Sequence, residues 1–381
     1  MTVPDRSLTV RGTVLTDGHE STATTVEIVD GRIATVTASA SADGADILVD
    51  GWIVPGLIDL QINGAGGIDL TSDPRPDDAV EAVARILPRH GVTAFCPTVI
   101  SSPAATLLER LAPYQPRDHV GGAASLGAHL EGPFLSTAHR GAHDAKSLRA
   151  PDEHEIESWL SVSRPSIVTI APELPNALKA IRRLAAAGTI VSLGHSGADM
   201  ETARSALAAG ASMGTHLFNG MPPLHHRSPG LAGALLSSTA TVGLICDGVH
   251  VHPMITELVI RVAGIARVAL VSDAVAPAGL ATAQAIAAVA GVRRPDSTLV
   301  GSAVLLDECL RKVRSALTWL TPAQVVLMAT GTPAAALGQR VASRKGRIAS
   351  GYDADLTIFD ADWEVMMTIV GGRVVFRRTD R

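Results

Sequence analysis

Between about residues 75 and 340 the apolar positions switch repeatedly from helical spacing to short continuous runs. "DDAVEAVARILPRHGVTAFCPT" is one such unit: an amphipathic helix, Gly91 as its stop, then a run of strand formers. "NALKAIRRLAAAGTIVSLGH" repeats the scheme, with Gly188 as the stop and His195 at the strand's end. "METARSALAAGASMGTHLFN" repeats it with Gly210 and His216, and "PMITELVIRVAGIARVALVSDA" delivers Asp273. Serial helix–strand units of this length call for a parallel sheet. So many in one domain predict an α/β fold of the closed (β/α)₈, TIM-like barrel type.

The two ends of the chain read differently. "SLTVRGTVLTDG" and "TVEIVDGRIATVTA" place β-branched residues around the turn dipeptides Asp17-Gly18 and Asp30-Gly31. "GRIASGYDADLTIFD" and "TIVGGRVVFRR" return to that style after the last helical pattern. The expectation is a small β-sandwich built from residues 1–54 and 341–381, beside a catalytic barrel over 55–340.

Composition narrows the function classes. The 381 residues are 46% apolar and 18% charged, the balance of a globular chain. A net charge of -5, with no Lys/Arg cluster, excludes a general nucleic-acid surface. No apolar run approaches the roughly 20 residues of a membrane span, and "MTVPDRSLTV" lacks the pattern of a signal peptide. Cys96, Cys246 and Cys309 are dispersed and form no CxxC pair, which argues against a disulfide framework and fits a reducing cytoplasm.

In such a barrel, functional groups come from the carboxyl ends of the strands. The strand-end residues here are Glu131, His195, His216, Asp247 and Asp273. In "AHLEGPFLSTAHRGAH", Glu131 closes an apolar run and Gly132-Pro133 ends the strand behind it. A lone histidine after a strand is more often hydrogen-bonded structure than a ligand. Two histidines one unit apart, with a carboxylate in register, shift the balance to a divalent metal. Nitrogen and carboxylate oxygen suit zinc, with iron(II) or another transition metal as the alternative. Three protein ligands leave one position open, as a catalytic metal requires.

Asp273 could take a proton from a water acidified by that metal and return it to a leaving group. A fourth metal ligand or an Asx turn are its other readings. "THLFNGMPPLHHRSPG" holds His225, His226 and Arg227, which would suit an anion cradle or simply a solvated polar loop. "CDGVHVHP" sets His250 and His252 beyond another strand, and His143 could polarise a carbonyl from outside the metal shell.

Taken together, these segments resemble the amidohydrolase superfamily, and within it the N-acetylglucosamine-6-phosphate deacetylases. The matching stretches are "PGLIDLQINGAGG", "HLEGPFLSTAHRGAH", "SLGHSGA", "THLFNGMPPLHHRSPG", "DGVHVHP", "LVSDAVAPAGL", "ATGTPAAALG" and "GRIASGYDADLTIFD". The resemblance implies that Glu131, His195 and His216 hold the metal, that Asp273 is general base and then acid, and that His143 assists at the carbonyl oxygen. It implies that Asn219, Gly220, His226, Arg227 and His250 form the sugar-phosphate site, Arg227 reaching into a neighbouring subunit of a homodimer or homotetramer.

Three departures stand out. Most amidohydrolases end the first barrel strand with His-x-His, whereas "DLQING" offers Gln61 and Asn63, so one tightly bound metal is expected. Gly220 and Ser228 replace the family's usual alanine and glutamate. The stretch 281–300, "ATAQAIAAVAGVRRPDSTLV", is short and alanine-rich where the family carries a segment that reads like a hairpin. The activity implied is deacetylation of N-acetylglucosamine 6-phosphate. The alternatives are another N-acyl sugar phosphate such as N-acetylgalactosamine 6-phosphate, an N-acyl amino acid, or a non-catalytic sugar-phosphate binder on the same fold.

Overall fold

The computed structural model describes residues 7–38, 44–280, 292–294 and 297–379. Four N-terminal strands, β1 (Ser7–Thr16), β2 (His19–Val29), β3 (Arg32–Ala38) and β4 (Ile47–Pro55), lead into the barrel. Eight parallel strands follow in sequence order: β5 (Leu57–Ile62), β6 (Val92–Ile100), β7 (His129–Glu131), β8 (Ile167–Ile170), β9 (Ile190–Leu193), β10 (Met213–Gly214), β11 (Thr241–Ile245) and β12 (Val268–Val271). Each pairs with the next, and the last returns to the first through the bridge Ile62–Ala274 and the Asp273 N–H donated to Gln61 O at 2.9 Å. The (β/α)₈ expectation is met.

The helix–strand units lie where the apolar period changes. The helix Pro76–Ile86 buries Ala79, Val80, Val83 and Ala84, and a 3-10 turn hands over to Gly91 at φ 70° before β6. Gly188, at φ 82°, makes the same turn between the helix Ala177–Ala186 and β9. A left-handed position is open to glycine without steric cost, so the strand can start at once.

The seam between β12 and β5 is held by a buried carboxylate. Asp59 accepts the backbone N–H groups of Gln61 and Ser272, both at 3.2 Å, and the Ser272 hydroxyl. One side chain thereby ties the strand bearing Gln61 to the turn bearing Asp273.

Beyond the barrel, β13 (Val292–Arg293) and β14 (Leu299–Gly301) pair antiparallel, so the described part of the 281–300 stretch is a hairpin after all. The alanine-rich composition concealed it; Val292, Leu299 and Val300 supply the strand formers. Residues 281–291, 295 and 296 of that stretch lie outside the described residues. The chain ends in β15 (Leu356–Phe359), β16 (Val365–Val370) and β17 (Arg373–Arg377).

The sheet drawn from both termini is one continuous ladder, ordered β17-β16-β15-β4-β1-β2-β3. It curls until its ends meet: the β2–β3 turn at Gly31 lies against Gly371 of the β16–β17 turn. Val10, Val26, Ile28 and Ile33 then share a core with Leu356, Ile358 and Ile369. The sandwich expected from both termini is thus built from one sheet folded over its own core.

Candidate active site

The carboxyl ends of β7, β9, β10 and β12 surround a cavity of about 410 Å³ lined by Glu131, His143, His195, His216, Asn219, Gly220, His250 and Asp273. Each metal-ligand candidate is buried. Glu131 Oε1 lies 3.2 Å from His195 Nε2 and 2.9 Å from His216 Nε2, and the two imidazole nitrogens are 3.1 Å apart. Among the described residues this is the one cluster of three potential ligands.

The donor set fits a transition-metal ion. His195 Nδ1 donates to the backbone oxygen of His139 at 2.8 Å, so its Nε2 presents a lone pair to Glu131. Burial alone would raise the Glu131 carboxyl, yet the His195 and His216 imidazoles beside it hold it well below the usual carboxylate range. An ionised carboxylate facing an imidazole lone pair calls for a cation between them. Ligands bound at roughly 2.0–2.1 Å to one zinc ion would stand about 3 Å apart, matching these separations.

Gly132 accounts for the abrupt end of β7. It sits at φ 93°, and a Cβ there would fall 2.2 Å from Ser101 Oγ. Gly220, at φ 62°, passes so close to His195 that a Cβ would meet its Nδ1 at 2.6 Å. The backbone of the Asn219–Gly220 loop thus covers the His195 ring, which only glycine permits in this conformation.

Gln61 and Asn63 occupy the floor where histidines would supply further ligands. Gln61 Nε2 donates to Glu131 Oε1 and to Asp273 Oδ1, each at 3.0 Å, and Asn63 Nδ2 donates to Asp273 Oδ1 at 2.7 Å. Both amides serve as donors that orient carboxylates. Burial and the nearby Glu131 charge push the Asp273 carboxyl up to about 7. That value describes the protein alone; a bound cation would pull it down.

His143 lines the same cavity, its ring centroid 4.5 Å from that of His195. Its Nδ1 accepts the Ser101 backbone N–H at 3.2 Å and lies 2.8 Å from the Ser101 hydroxyl. A backbone N–H can only donate, so the ring proton belongs on Nε2, 4.0 Å from Glu131 Oε2. Burial and the neighbouring His195 lower its pKa to about 3, so the ring is neutral and its Nε2–H is a standing donor.

Asp247, a strand-end carboxylate without an assigned role in the sequence, orients His250. It accepts His250 Nδ1 at 2.7 Å and the backbone N–H groups of Val249 and His250 at 2.9 Å. Burial opposes ionisation there, but the His250 hydrogen bond wins and lowers the Asp247 pKa to about 2. His226 and Arg227 behave otherwise: both are exposed and neither lines the cavity of its own chain.

Sequence reasoning missed His129, His139 and Ser101. His129 heads a buried polar chain inside the barrel, with Nε2 2.8 Å from Thr169 Oγ1, which lies 2.7 Å from Thr215 Oγ1. His139 acts through its carbonyl and Ser101 through its backbone N–H, groups that no residue-type pattern reveals. Position 129, two residues before Glu131 on a strand, was the one available signal, because alternate strand residues share a face.

Fold and site together define a metal-dependent hydrolase of the barrel type. Residues 52–375 match the amidohydrolase family. N-acetylglucosamine-6-phosphate deacetylase of Danio rerio is 38% identical over 352 residues, covering 86% of this chain and 85% of that protein. The enzyme of the same name from Vibrio furnissii is 37% identical over 361 residues, covering 90% and 88%. Among solved structures, the Pasteurella multocida deacetylase superposes with a TM-score of 0.87 at 26% identity, covering 97% of this chain and 99% of that one. A Mycobacterium smegmatis variant crystallised with N-acetyl-D-glucosamine-6-phosphate gives 0.83 at 31%, covering 97% and 99%. The chain belongs to the amidohydrolase family, among its N-acetylglucosamine-6-phosphate deacetylases.

Proposed function

We propose that this chain hydrolyses the acetamide of N-acetylglucosamine 6-phosphate to glucosamine 6-phosphate and acetate in amino-sugar metabolism. One divalent transition-metal ion would be held by Glu131, His195 and His216, zinc being the first choice and iron(II) the second. The observation that carries the reading is the convergence of this cluster, Asp273 and His143 on one cavity.

When bound, the ion supplies Lewis acidity, polarising the carbonyl and acidifying the attacking water. The protein's own residues do the rest. Gln61 and Asn63 both donate to Asp273 Oδ1. Oδ2 is thereby left for the proton that Asp273 takes from the water and passes to the departing nitrogen. His143 Nε2–H donates to the carbonyl oxygen as negative charge gathers there. His250, steadied by Asp247, and Asn219 lie on the wall where the sugar phosphate would be held.

Three buried free cysteines support work in a reducing cytoplasm. No helix of the described residues is long and apolar enough to cross a membrane. An exposed apolar stripe on the helix Pro253–Ala263 supports a homodimer or homotetramer.

The test is acetate release from N-acetylglucosamine 6-phosphate by chelated protein and by protein reloaded with one equivalent of zinc. Activity restored by one equivalent is expected. Full activity of the chelated form would overturn the metal assignment. Hydrolysis of only N-acetylgalactosamine 6-phosphate or an N-acyl amino acid would overturn the substrate.

A further inference from the structure

Arg294 lines the catalytic cavity, and no role described so far uses it. Of the other basic groups lining that cavity, three are committed and His250 has one ring nitrogen engaged. His195 and His216 face Glu131, His143 is neutral against Ser101, and His250 is tied to Asp247. Arg227 and His226 sit outside the cavity of their own chain. Arg294, by contrast, has no side-chain hydrogen-bond or ion-pair partner among the described residues.

Its position is built. The Arg294 backbone donates to Thr298 O at 2.9 Å and accepts from Ser297 N at 2.9 Å, which fixes it at the head of the β13–β14 hairpin. The other limb of that hairpin is fastened to the segment carrying the general base. Ser302 N donates to Asp273 O at 2.9 Å, and Val275 N donates to Ser302 O at 3.0 Å. Gly301 passes so near that a Cβ would stand 2.7 Å from Asp273 O.

Charge supplies the second half of the argument. The same cavity is lined by the carboxylates of Asp69, Glu131 and Asp273. A phosphate dianion entering that cavity meets repulsion unless a cation faces it, and guanidinium matches phosphate oxygens in a two-pronged hydrogen bond.

We propose that Arg294 is an anion-recognition residue of this cavity, contacting the substrate's 6-phosphate from the same chain that supplies Asp273. The inference rests on the sugar-phosphate reading above and adds a specificity determinant to it. Arg294 is then part of the substrate site, so its identity bears directly on which phosphorylated sugars are accepted.

The test compares Arg294→Gln and Arg294→Lys with the parent protein in the zinc-loaded form. For N-acetylglucosamine 6-phosphate, Arg294→Gln is expected to raise KM by about tenfold or more, the scale of one charged hydrogen bond, with kcat nearly unchanged. Slow turnover of unphosphorylated N-acetylglucosamine is expected to stay the same, and inhibition by inorganic phosphate to weaken. Arg294→Lys should recover part of the loss. An equal loss on both substrates, or an unchanged KM for the phosphorylated one, would overturn the proposal. Should the parent release no acetate from the phosphorylated sugar, the functional reading fails instead. Calorimetric binding of inorganic phosphate then decides on Arg294: weaker binding by Arg294→Gln sustains its role, and equal binding removes it.

Discussion

His195, His216 and Asp273 all carry left-handed backbone, with φ of 48°, 25° and 48°. For residues with a Cβ this costs on the order of 1–3 kcal/mol each, and it persists only where neighbours enforce it. Here the neighbours are visible: Asp273 N donates to Gln61 O and its carbonyl accepts from Ser302 N, while His195 O accepts from Ser136 N. The bend at the strand's end turns each side chain towards the cavity without further chain. Asp273 is the residue on which turnover should depend most steeply. Asp273→Asn keeps the size and the Asn63 neighbour but cannot take a proton. The expected result is a fall in kcat of roughly 10²–10⁴ with metal content unchanged, read by steady-state kinetics beside elemental analysis. Near-normal turnover would remove Asp273 from the role of base.

The seam between β5 and β12 makes a separate, thermodynamic prediction. Burial pushes Asp59 up to about 6 from 3.8, although Ser272 and the Gln61 N–H favour its charged form. A carboxyl raised in the folded state binds more protons than the unfolded chain across that interval. Stability therefore falls as pH rises from about 4 through about 6, by about 3 kcal/mol for this group. Asp59→Asn removes that term. Urea unfolding of variant and parent should show a difference that grows in the variant's favour between those pH values; parallel curves would show that Asp59 is not the titrating group. The seam also marks the limit of what the chain disclosed. Helix–strand alternation, glycine stops and the ends bearing Glu131, His195, His216 and Asp273 follow local periodicity, so they could be read directly. The Asp59 clamp, the Ser101 N–H that sets the His143 tautomer and the His139 carbonyl depend on contacts between distant segments or on backbone atoms, and neither leaves a local pattern. The β13–β14 hairpin was hidden because composition outweighed its few strand formers.

For the whole molecule, the open question is what covers the helix Pro253–Ala263. Met254, Leu258 and Val262, spaced four apart, are 65%, 47% and 54% exposed, and Leu224 of the Arg227 loop is 45% exposed. The helix Gly230–Leu236, which follows that loop, packs beside Pro253–Ala263. The apolar stripe and the exposed Arg227 loop are therefore on adjoining elements, as a shared self-association surface would require. Sedimentation velocity should give a dimer or tetramer, and Leu258→Glu, which places a charge within the stripe, should shift it towards monomer. If Arg227 also serves a neighbour's cavity, two inactive variants should complement each other. Arg227→Ala lacks the donated arginine and Asp273→Asn lacks the base, yet a mixed dimer of the two contains one site with Asp273 intact and Arg227 supplied by the other chain. Mixing after subunit exchange should restore up to about half the parental activity per mixed dimer, one site of two in a C₂ pair. No recovery from a mixture shown to exchange subunits would remove Arg227 from the neighbour's cavity and leave Arg294 as the arginine that meets the phosphate.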